Sequence, residues 1–206
     1  FVHRVPPGLD LRAAALCQPL ATILKGLHRL ARYWPATPEI KRCSVVGAGA
    51  MGHFCARVLA QRGHKVIAID RDPQRLTYFQ GSGIEVSDNL NNLNEYDVLV
   101  EMTGDPEALE TMLDQSTPGA TILMLGLPYA HRQFTFGNIA AYDKTVVGSV
   151  GGGIHSYKEA LSLLTELDLR AYLQCVKPLE EFREGWQLAQ ERSYLKVLLQ
   201  VDQELA

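Results

Sequence analysis

Three glycines, Gly47, Gly49 and Gly52, stand at G-x-G-x-x-G spacing between the apolar run Ser44-Val45-Val46 and a segment of helical pattern. The chemistry such a loop performs is anion binding by backbone. Gly47 permits the tight turn, Gly49 lets the main chain approach a pyrophosphate, and Gly52 lets the following helix pack closely on the strand. The phosphates then meet the N–H groups and positive dipole end of the helix that opens at Ala50 and Met51. The next apolar run, His64-Lys65-Val66-Ile67-Ala68-Ile69, ends at Asp70. That places a carboxylate about 20 residues beyond the loop, where it can accept hydrogen bonds from both hydroxyls of an adenosine ribose. Loop and acid together predict a dinucleotide site.

Asp70 also bears on which dinucleotide. Its carboxylate facing a 2′-phosphate would set like charges together, so NAD is favoured over NADP. Arg71 opposes this reading, because an arginine there could stack on adenine or pair with a 2′-phosphate, or else stand as a solvated charge beside Asp72.

The elements that must position these residues follow from the pattern around them. Pro6, Pro7 and Gly8 read as an extended segment and turn, and Asp10 caps a helix predicted across about residues 11 to 32, closed by Pro35 and Pro38. From Cys43 onward short apolar strands alternate with amphipathic helices, as in a parallel sheet covered by crossover helices. Strands are expected near 43 to 47, 65 to 69, 97 to 102, 120 to 126 and 145 to 149, with a short one at 84 to 86. Helices fall between them near 50 to 62, 73 to 80, 105 to 115 and 155 to 167. A closing strand, helix and strand follow near 172 to 177, 179 to 191 and 195 to 200. The fold class is α/β: a Rossmann doubly wound parallel sheet with flanking helices. The expected division is a leading segment and helix (1-40), a dinucleotide-binding domain (41-170) and a closing strand-helix-strand (171-206).

These landmarks, in this order, resemble the C-terminal portion of the medium-chain dehydrogenase/reductase family, the zinc-type alcohol, sorbitol and threonine dehydrogenases. Val5-Pro6-Pro7-Gly8-Leu9-Asp10, Ala13-Ala14-Ala15-Leu16 and Pro19-Leu20-Ala21 resemble the segment leading into that family's cofactor domain. The resemblance places Arg75 near the adenosine ribose. It sets Met102 and Thr103, within Glu101-Met102-Thr103-Gly104, at a strand end beside the cofactor. Leu125, Gly126 and Leu127, ahead of Pro128, match the backbone stretch that holds the nicotinamide carboxamide, and Val147, ahead of Gly148, lies near the nicotinamide. Pro178-Leu179-Glu180 and Lys196-Val197-Leu198-Leu199 resemble the closing helix and strand, with Lys196 where a cation often meets the pyrophosphate.

In that family an N-terminal β-rich domain holds most of the substrate and the catalytic zinc. The opening residues, from Phe1, read like the middle of a protein, so this chain is expected to be a portion whose end segments border a missing catalytic domain. Relatives similar to sorbitol or threonine dehydrogenase carry a Glu before the Pro-Leu pair, whereas here Gln18 precedes Pro19, and a neutral amide is a poor zinc ligand. The adjacent Cys17 is turned about 100° away on a helix. His3, His28, His53, His64, His131 and His155 show no metal-ligand spacing, and His53 is read as structural. No metal site is assigned, and no catalytic residue can be named.

Composition agrees with small-molecule chemistry. The 206 residues suffice for one well-filled core or one domain with a small appendage. With 47% hydrophobic and 21% charged residues and a net charge of -3, the chain lacks the basic footprint of a nucleic-acid or anionic-membrane binder. It contains neither a long apolar span nor a secretory leader, so a cytoplasmic location is expected. Cys17, Cys43, Cys55 and Cys175 are scattered, as reduced and mostly buried thiols would be.

The expected function is the NAD-binding part of an alcohol- or polyol-type oxidoreductase acting on a small molecule, this chain alone being inactive. The alternative is an NAD(H)-binding or sensor module without catalysis. Imine or hydroxyacid reductases share a similar loop but place it at their N-terminus. Phe134 and Phe136 alternate with polar neighbours, which predicts a half-buried edge strand. In the family that region joins two cofactor domains, so a homodimer is expected.

Overall fold

A computed structural model describes residues 2–33, 40–128 and 133–201. Pro35, Pro38, His131 and Arg132 lie outside them. The chain divides into two compact units, Lys25–Val150 and Phe1–Leu24 with Gly151–Ala206.

The larger unit is built on a six-stranded, all-parallel sheet: β1 (Arg42–Val46), β2 (Lys65–Ile69), β3 (Glu85–Ser87), β4 (Val98–Glu101), β5 (Thr121–Met124) and β6 (Thr145–Gly148). Their order across the sheet is β3-β2-β1-β4-β5-β6, the Rossmann order, which reverses direction between β1 and β4. β1 and β4 are buried along nearly their whole length, as strands covered on both faces must be. The crossovers are helices α3 (Ala50–Gln61), α4 (Pro73–Leu76) and α5 (Pro106–Gln115), followed by α6 (Gly137–Ala141). Asp72 and Asp105 cap α4 and α5 by accepting from Gln74 N and Glu107 N, each with proline at the first helical position, where its missing N–H costs nothing. Val46, Ile69, Leu99, Met112, Leu113 and Ile122 pack in one core cluster.

The smaller unit contains α1 (Leu11–Ala14), the first half of α2 (Cys17–Leu30), α7 (Ile154–Leu163) and a parallel pair, β7 (Cys175–Pro178) and β8 (Val197–Gln200), joined through α8 (Phe182–Gln190). Gly185 brings α8 onto the pair: a Cβ there would stand 3.1 Å from Leu199 and 3.5 Å from Val197.

Two sequence expectations need correction. The single helix over 11 to 32 is broken at Ala15-Leu16, where Leu16 N donates to Ala13 O. Pro19 accounts for the break: it has no N–H for a bond to Ala15, its ring crowds that carbonyl, and it suits the first turn of the new helix α2. Residues 133–136 form no strand; Phe136 has helical dihedrals and caps α6, and its ring lies 6.0 Å from that of Phe134. Phe134 packs partly buried against the core cluster while Phe136 is exposed, and among the described residues neither has a sheet partner. The sheet edge on this side is β6.

All four cysteines are free and buried, and burial pushes the Cys43 thiol up to about 12. No helix among the described residues is long and apolar enough to cross a membrane.

Candidate dinucleotide-binding site

The glycine loop leaves β1 at the point where the sheet order reverses. Gly47 has φ +101°, open to glycine and strained for other residues, and its N–H donates to Ile69 O at 2.7 Å. Its alternative side chain would also run into Thr103 at 2.9 Å. Gly49 stands at the N-cap of α3 in extended conformation and has no side chain of its own to offer the helix end. The positive end of a helix that begins at a glycine loop is a site for a phosphate. A Cβ on Gly52 would overlap the Gly47 carbonyl, so α3 lies against the loop as closely as backbone allows.

Asp70 follows β2 and reaches back to the loop. Its Oδ2 accepts from Ala48 N at 2.7 Å and its Oδ1 from Asp72 N at 3.0 Å. The acid therefore shapes the loop. Two lone pairs remain on these oxygens for ribose hydroxyls.

The two arginines differ. Arg71 is 85% exposed, 4.0 Å from Asp105 Oδ2. Arg75 is only 17% exposed; its Nε stands 3.8 Å from Asp72 Oδ2, and its Nη1 would be 2.9 Å from a Cβ on Gly49. Spacing alone gave no sign that Arg75 covers the loop. His53 is fully buried in α3, its Nε2 donating to Tyr78 O at 3.2 Å and its ring 4.7 Å from Phe79. It anchors the turn after α4 and stays out of the crevice.

On the other side of the reversal, β4 and β5 end side by side. Met102 N donates to Val46 O at 2.9 Å, joining the tips of β1 and β4. Met102 is half-buried, Thr103 exposed, Leu125 and Gly126 half-buried, and Leu127 exposed. Val147 is buried within β6, so it reaches a ligand only through its backbone. Lys196 belongs to the other unit, exposed just ahead of β8. Thus the structure brings Gly47, Gly49, Ala50, Met51, Gly52, Asp70 and Arg75 to one side of the reversal and Met102, Thr103, Leu125, Gly126 and Leu127 to the other. Glu101, between the two groups, was not singled out by sequence; a buried acid at a strand end was the available signal.

Residues 50–166, more than half of the chain, match the family model described as zinc-binding dehydrogenase. The chain belongs to that family, within the medium-chain dehydrogenases/reductases. An L-threonine 3-dehydrogenase of Cutibacterium acnes is 28% identical over 204 residues, covering 92% of this chain and 57% of the relative. An NADP-dependent alcohol dehydrogenase of Mycolicibacterium smegmatis is 25% identical over 189 residues, covering 86% and 52%. Among solved structures, the alcohol dehydrogenase TADH from Thermus sp. superposes with a TM-score of 0.84 at 25% identity, covering 97% of this chain and 61% of that one. The chain therefore spans little more than half the length of these dehydrogenases.

The family name implies zinc, and the residues present do not fit it. Among the described residues no group of three or more His, Cys, Asp or Glu side chains is placed to hold a metal. Gln18 donates its amide to Thr22 Oγ1 at 3.2 Å, and the buried Cys17 thiol, its pKa raised by burial, donates to Tyr157 O at 3.5 Å. A nicotinamide dinucleotide does fit: the positive end of α3, the close approach at Gly52 and the acid at the end of β2 match its phosphates and ribose.

Proposed function

We propose that this chain is the cofactor-binding portion of an NAD-dependent oxidoreductase acting on a small alcohol, polyol or carbonyl compound. The observation that carries the reading is the glycine loop held by Asp70 at the sheet reversal. Asp70 receives the adenosine ribose with Arg75 near it, the α3 end takes the pyrophosphate, and the tips of β4, β5 and β6 receive the nicotinamide through Met102, Thr103, Leu125, Gly126, Leu127 and Val147. Lys196 stays a candidate on the family resemblance alone. When bound, the nicotinamide supplies hydride exchange with an alcohol or carbonyl carbon. Residues 41-170 form the proposed cofactor domain, with 1-40 and 171-206 as the leading and closing segments. Four buried free thiols support a reducing, cytoplasmic setting.

Asp70 supports NAD, while Arg75 and the exposed Arg71 offer charge to a 2′-phosphate. Titration followed by nicotinamide fluorescence should show NADH binding more tightly than NADPH. Equal or tighter NADPH binding would mean that the arginines outweigh the acid. Gln18, turned onto its own helix, favours a second reading as an NAD(H) sensor; alcohol turnover by the protein would reject it.

A homodimer is also proposed, through the outer edge of β6, which no further strand covers among the described residues and beside which Phe136 and Tyr142 are exposed. Light scattering at micromolar concentration should give twice the mass of one chain; the mass of one chain would reject it.

A further inference from the structure

Glu101 ends β4, is 1% exposed, and aims its carboxyl group at its own strand tip. Its Oε1 accepts from Thr103 N at 2.6 Å, from Gly104 N at 2.9 Å and from the Thr103 hydroxyl. Three donors on one oxygen fold residues 102–104 back over the strand end. The same hydroxyl accepts from Asp105 N at 2.8 Å, and Asp105 caps α5. The Glu101 carbonyl meanwhile accepts from Leu125 N and Gly126 N, both at 3.0 Å, at the tip of β5.

The two tips are packed without spare room. A Cβ on Gly126 would collide with Glu101 Oε2 and Gly104 N, and one on Gly104, which has φ +68°, would stand 2.7 Å from Leu127 O. One buried side chain therefore fixes the shape of both. Filling that space needs no acid, since burying a polar group is costly unless its hydrogen bonds are made. What the carboxyl group adds is direction: it holds three donors in a single arrangement.

We propose that Glu101 is a positioning residue for the nicotinamide half of the cofactor, acting through the backbone of Thr103, Gly104 and Gly126. The inference rests on the proposed dinucleotide binding at the glycine loop. With the adenosine ribose at Asp70, a ligand crossing the β1/β4 reversal carries its other half over the β4 and β5 tips. Glu101 sets those tips before the ligand arrives, so less ordering is left for binding to accomplish.

ADP-ribose, which lacks only the nicotinamide ring, separates this role from general support of the fold. Calorimetric titrations of wild type, Glu101→Ala and Glu101→Gln with NADH and with ADP-ribose form the test. Glu101→Ala should weaken NADH by about tenfold or more and ADP-ribose by less than about twofold. Glu101→Gln, which keeps one oxygen acceptor, should lose only about threefold for NADH. Should Glu101→Ala fail to fold, Glu101→Gln carries the test: its loss for NADH should exceed its loss for ADP-ribose. Parallel weakening of both ligands, or no change in either, overturns the inference. A wild type that binds neither ligand overturns the cofactor reading itself; one that binds both, with unselective variants, overturns the role of Glu101 alone.

Discussion

Gly52→Ala is expected to destabilise the protein by about 1–3 kcal/mol, the cost of overpacking a close contact, and to weaken NADH by about a hundredfold or more, some 2.7 kcal/mol. In an open helix the same change would stabilise, because alanine is favoured over glycine by about 0.5–1 kcal/mol. Space reverses the sign. The added Cβ falls on the Gly47 carbonyl and approaches the Gly47 carbonyl carbon at 2.9 Å, both of them backbone that cannot rotate aside. Either α3 retreats from β1 or the loop opens, and each displaces the helix end from the phosphate position. Chemical denaturation and a fluorescence titration measure the two effects. A variant as stable as wild type with unchanged NADH affinity would show that the close approach is irrelevant to binding.

Asp70→Ala should weaken NADH by about 1–3 kcal/mol, or about 5- to 150-fold, and NADPH by less. Two losses combine in it. The ribose loses its acceptor, and Ala48 N loses the 2.7 Å bond that holds the loop against β2. Removing the charge also relieves repulsion of a 2′-phosphate while Arg71 and Arg75 remain, so the NADH preference should shrink or reverse. The Kd ratio for the two cofactors is the quantity to measure. An unchanged ratio would mean that Asp70 serves the loop only.

The sheet was legible in the sequence because strands buried on both faces read as uninterrupted apolar runs. Every strand of the large sheet, including the short one near 85, lies within about two residues of its expected place. The glycine loop and Asp70 were legible because their spacing is dictated by one βαβ unit. Features that depend on residues distant in sequence were not. Arg75 over Gly49 and the Glu101 carboxyl joining two strand tips are tertiary arrangements without a local pattern. Lys144 is another: it is buried at the head of β6, donates to Leu113 O at 2.6 Å near the end of α5, and has its pKa lowered by burial. Phe134 and Phe136 misled because alternation records which side chains are apolar and is blind to whether a neighbouring strand exists. The break in the first helix was readable from Pro19, whose effect on the preceding turn competes with an otherwise continuous apolar stripe.

The most direct test of dinucleotide binding at the glycine loop is calorimetric titration of this chain with NADH, run beside Gly52→Ala. One NADH should bind per chain in wild type, with binding lost or weakened about a hundredfold in the variant. Absence of binding to a folded wild-type chain, or binding that Gly52→Ala leaves untouched, would contradict the account.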